Sequence, residues 1–142
     1  MGNIDKKTLK NIYQASKMGL DSVEYIYPKV EDKELKKDLD EYKRKYHDII
    51  GETRYRLDLM KSEPEDYSPM VKVMLWTGIQ TQTMMDTSSS HIAELLIKGS
   101  SKGIVEMTKD VNNDLVDENV RKIANTLIHY EKENIDKMKK YL

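Results

Sequence analysis

Apolar residues recur at steps of three and four along most of the chain, which is the spacing of one face of an α-helix. Leu9, Ile12, Ser16, Gly19, Val23, Ile26 and Val30 fall on such a face. They predict a first helix over roughly residues 5–29. Pro28 and the segment PKVED end it, and Asp32 stands where the next helix needs an N-cap. The second stripe is Leu35, Leu39, Tyr42, Tyr46, Ile49, Thr53, Leu57 and Met60. It predicts a helix over roughly 33–61 whose other faces are charged.

KSEPEDYSP then reads as a connection, and Ser68 followed by Pro69 reads as a helix start. The third helix, roughly 69–85, is apolar on more than one face. Asp86, Thr87 and Ser88 to Ser90 offer caps for a break, although the pattern also allows this helix to run on into the fourth. The fourth, roughly 88–111, carries Ile92, Leu96, Ser100, Gly103, Met107 and Val111 in unbroken register. The period passes through Gly-Ser-Ser-Lys-Gly without slipping, so that run is helix interior and not a linker. An interior Gly costs about 1 kcal/mol against Ala, so two of them imply a close approach by another helix or a ligand. A fifth helix over roughly 117–142 places Ala124, Ile128, Glu131, Ile135, Met138 and Leu142 on one face. Lys137, Lys139 and Lys140 suit the negative end of its dipole.

Connection lengths set the expected topology. The first and second helices share a tight turn and lie antiparallel, as do the fourth and fifth. The third rises about 1.5 Å per residue, enough to carry the chain back along the molecule. Residues 1–142 are therefore expected to form a single all-α domain: a ferritin-like four-helix bundle of two antiparallel hairpins with an additional short crossover helix.

Composition narrows the possibilities. Charged residues are 35% and apolar residues 38%, which suits narrow buried stripes and wide wet faces. Net charge is −1 with both signs mixed, so no basic block marks a nucleic-acid partner. Cys is absent, which excludes thiolate chemistry and disulfides, and a cytoplasmic location is expected. No apolar run is long enough for a membrane span. Phe is absent while Met and Tyr number nine each, so these two must do the large-residue packing.

KVEDKELKKDLDEYKRKY, SEPEDYSP, IAELLIKGSSKGIVEMTKDV and VRKIANTLIHYEKENIDKMKKYL together resemble a bacterial ferritin-like group of unknown function. The resemblance implies the bundle fold but supplies no activity. Many members of the ferritin-like superfamily hold two metal ions with a Glu from each of two helices and Glu-x-x-His from each of the other two. Here the first motif reads Arg44-x-x-His47 and the second Glu131-x-x-Asn134. Counting outward from the hairpin turns sets Glu131 level with Gly99 and Ser100, and His47 level with Ala15 and Ser16. Small residues thus stand where carboxylates are needed, and the standard four-carboxylate, two-histidine site is not assembled.

Glu131 interrupts an apolar stripe, and a buried carboxylate needs a partner. It pairs with Arg44, a Lys or a Tyr hydroxyl, or it belongs to an altered iron or manganese site with His47, Glu24 and Glu106. His91 and Glu94 share a helical face, a weak metal pair. Ala15, Ser16, Gly19, Gly99, Ser100 and Gly103 either receive the rings of Tyr42 and Tyr46 or surround a mid-bundle pocket. Trp76, Met70, Met74, Met84 and Met85 form a candidate interaction surface. The resulting expectation is a non-catalytic structural or interaction protein without a cofactor, acting as a homodimer or on another protein. A metal-binding or oxidoreductase bundle is the alternative.

Overall fold

Short polar side chains set where the helices begin. In a computed structural model describing residues 2–142, with Met1 outside the described residues, five α-helices follow one another. They are α1 (Asn3–Ile26), α2 (Lys33–Leu59), α3 (Pro69–Thr83), α4 (Ser89–Val111) and α5 (Glu118–Lys139), with a 3-10 turn at Tyr27–Lys29. Asp32 accepts from the backbone N–H groups of Glu34 and Leu35, Ser68 from Met70, Ser88 from His91, and Asp117 from Asn119. Each contact satisfies an N–H left free by the first helical turn. Asp5 does this twice, accepting from Gly2 N at 3.0 Å and Asp117 N at 2.7 Å, and so joins the starts of α1 and α5.

The third and fourth helices are separate, because α3 stops at Thr83 and α4 starts at Ser89. The Gly-Ser-Ser-Lys-Gly run lies inside α4. At the end of α2, Lys61 adopts the left-handed conformation with φ 54°. Its N–H reaches Asp58 O at 2.9 Å, and Ser62 N reaches Leu57 O at 3.0 Å, which closes the last turn.

Contacts between helices fix their directions. Tyr42 meets Asn134, Tyr46 meets Glu131 and Asp38 meets Tyr141, so α2 and α5 run antiparallel. Asn11 meets Asp110, so α1 and α4 do the same. Thus α1 and α5 point one way while α2 and α4 point the other. The connection after α2 starts near Lys10, which bonds Glu65 at 2.9 Å. From there α3 travels back along α1, with Lys72 3.7 Å from Asp21.

Leu9, Ile12, Leu35, Leu39, Ile92 and Leu127 are among the side chains enclosed between the four long helices. The buried face of α5 is broader than its sequence stripe, since Val120, Ile123 and Leu127 join it. The reason is that α5 packs against α4, α2 and α1 together. Toward its end the face rotates: Asn134 is fully buried, Ile135 only partly, and Leu142 is exposed. Among the described residues, no helix is long and apolar enough to cross a membrane.

Candidate functional site

Glu131 projects from α5 between α2 and α4 and is only 5% exposed. Three donors converge on its Oε1: Tyr46 Oη at 2.6 Å, Ser100 Oγ at 3.2 Å and Asn134 Nδ2 at 3.2 Å. Among the described residues Oε2 has no such partner. It lies against Gly103, where an added Cβ would sit 2.7 Å from it. The period that carries α4 through Gly103 therefore also clears the space this oxygen occupies.

Asn134 ties the site to α2. Its backbone carbonyl accepts from Tyr42 Oη at 2.8 Å, and its Oδ1 faces Lys45 Nζ at 3.5 Å. The Lys45 ammonium reaches Glu133 at 4.0 Å, so an amide stands between the nearest cation and Glu131. Burial pushes the Glu131 carboxyl up to about 7, against the opposing pull of its three hydrogen bonds. Burial and the Glu131 charge hold the Tyr46 phenol well above its usual range, so it acts as a donor. Burial lowers the Lys45 ammonium.

Beside this carboxylate lies a cleft of about 380 Å³ between α1, α3 and α4. Met18, Val23, Ile26, Ile79 and Leu96 form its walls, and Tyr46 and Glu131 lie at its base. The bare backbone at Gly19 presses on the Tyr46 ring; an added Cβ would fall 2.4 Å from its Cζ. Among the small residues, Gly19 receives a ring, whereas Gly99 borders the cleft with nothing within 4 Å of an added Cβ.

The other candidate ligands are not brought to Glu131. His47 and Glu24 are exposed on α2 and α1. Glu106 is exposed at the cleft mouth, 3.7 Å from Lys109. Among the described residues no three His, Asp or Glu side chains gather as a metal would require. The one carboxylate buried here, Glu131, has a phenol, a hydroxyl and an amide as its neighbours. Arg44 turns outward and pairs with Glu41 and Asp48, which leaves Tyr46 as the partner Glu131 finds. His91 Nε2 donates to the Gln82 carbonyl at 2.7 Å, and its Nδ1 lies 3.8 Å from Glu94. Asn134 and Lys45 belong to the site without having been singled out as members of it. The Glu131-x-x-Asn134 spacing was the available signal for the first.

Trp76, Met70, Met74, Met84 and Met85 are all exposed, as are Val71 and Val73 of α3. Only Ile79 and Thr83 of α3 are buried. Comparison with known proteins gives no match to a family model, a curated protein or a solved structure.

Proposed function

We propose that the chain is a ferritin-like four-helix bundle with a degenerate di-metal site, and that it acts without catalysis by pairing with a second copy of itself through α3. The paired directions of α1 with α5 and of α2 with α4 support the connectivity. The exposed α3 surface carries the functional reading: only Ile79 and Thr83 of this helix are buried, whereas Met70, Met74 and Trp76, with Met84 and Met85 just past its end, stand in water. Unpartnered apolar surface of this kind marks an interaction site, and flexible methionines adapt to the surface they meet. The donor set around Glu131 supports the degenerate site, since its neighbours are a phenol, a hydroxyl and an amide where carboxylates and imidazoles would be needed.

Light scattering across a dilution series tests the pairing. The expected result is a dimer that dissociates on dilution, with Trp76→Glu monomeric throughout and unchanged in helix content. A chain that stays monomeric at every concentration overturns the reading.

A further inference from the structure

The Glu131 carboxyl takes three donors on Oε1 and has no paired cation among the described residues. These three donors favour the charged form of the carboxyl, against the burial that raises it. Among the described residues Glu131 forms no ion pair, and Asn134 lies between it and the Lys45 ammonium. Among the described residues its second oxygen accepts no hydrogen bond; it lies against Gly103, which lines the cleft with Glu131, while the residue as a whole is buried. α1 and α3 contribute no charged side chain to that cleft, and α4 contributes only Lys102 and Glu106.

The walls point to the other half of the occupant. Apart from Glu131 and the tyrosines the lining is chiefly aliphatic and thioether. Gly78 of α3 and Gly99 of α4 border the space, and an added Cβ at either would touch nothing. Interior glycines disfavour a helix by about 1 kcal/mol each, and helix packing does not require these two. The cleft volume of about 380 Å³ lies within the range of small-molecule sites.

We infer that the cleft binds a small amphiphilic primary amine, with its apolar body between α1 and α4 and its ammonium donating to Glu131 Oε2. Met74 of α3 belongs both to this cleft and to the surface proposed for pairing, and calorimetry on the Trp76→Glu chain separates the two.

Calorimetry with octylamine, octanol and octanoate tests the assignment at constant chain length. Octylamine is expected to bind at least about tenfold more tightly than octanol, the increment of one charge-assisted hydrogen bond. Octanoate is expected not to bind. Because ammonium binding favours the ionised carboxylate, octylamine should release protons at pH 7, read from the dependence of heat on buffer. Glu131→Gln should remove the preference for the amine while octanol still binds. Gly103→Ala, a change that favours the helix, should do the same by crowding Oε2. Octanol binding as tightly as octylamine, tighter binding of octanoate, proton uptake, no binding of any of the three, or an amine preference intact in both variants overturns the proposal.

Discussion

Tyr46 Oη and Glu131 Oε1 stand 2.6 Å apart, bridging α2 and α5. The phenol ring is backed by Gly19 of α1 and the carboxylate by Gly103 of α4, so one hydrogen bond engages all four long helices. Its strength depends on the protonation of Glu131, which can be followed with pH.

The Glu131 carboxyl is raised to about 7 when folded, above its ordinary value of 4.5. The folded chain therefore holds this proton more tightly than the unfolded chain. The stability it lends is complete below about pH 4 and is lost as pH rises through about 7, a change of about 3 kcal/mol. Glu131→Gln keeps the shape and cannot ionise. Urea midpoints of variant and wild type should coincide near pH 4, and the variant should become the more stable by pH 8. Parallel curves across that range would remove the basis for a raised carboxyl.

Tyr46→Phe deletes one of the groups that stabilise the Glu131 anion. The carboxyl should then titrate above its wild-type value, measured by carbon NMR of the labelled glutamate side chain. The variant should also lose about 1.5–3 kcal/mol at neutral pH, the range for a hydrogen bond to a charged group. A lower titration midpoint would mean that the phenol does not donate to this carboxylate.

Two helix-interior glycines should respond in opposite directions to the same methyl group. At Gly19 the added Cβ meets the Tyr46 ring at 2.4–2.9 Å, and Gly19→Ala should destabilise by about 1–3 kcal/mol through overpacking. At Gly99 nothing lies within 4 Å, and Gly99→Ala should stabilise by about 1 kcal/mol through helix propensity. Thermal unfolding of the pair checks the contrast, and equal effects would contradict it.

Lys61 holds a left-handed backbone, with φ 54°, where α2 ends. Glycine adopts that conformation without the Cβ penalty, so Lys61→Gly should stabilise by about 1 kcal/mol. A loss of stability on denaturant unfolding would show that the lysine side chain contributes more than its backbone strain removes.

The α2 stripe could be read for seven turns because nearly everything off it is charged, and every member from Leu35 to Leu57 is buried. The α4 register survived its glycines for the same reason. The end of α5 was harder to read. There a buried amide, Asn134, displaces Ile135 from the interior because Tyr42, Lys45 and Glu131 satisfy its polar groups. Two of those partners come from another helix, so the preference is invisible in local pattern. Lys45 eluded a binary pattern because a lysine can bury its stem. Arg44 was an available partner for Glu131 by charge alone, but acids one turn away on either side hold it outside.

Of the five helices, α3 alone contributes just two buried residues, and its principal packing is on α1. Its other ties are few: the Lys72 pairs with Asp66 and Asp21, and the link between His91 and the Gln82 carbonyl. Segments with so few enclosed contacts open at much lower free energy than the body they rest on. Backbone amides of α3 should exchange with solvent well ahead of those in α2 and α5. The wall formed by Ile79 can then swing away while the Tyr46–Glu131 bridge stays closed, so molecules of cleft size can enter and leave on the timescale of local fluctuation without waiting for the chain to unfold.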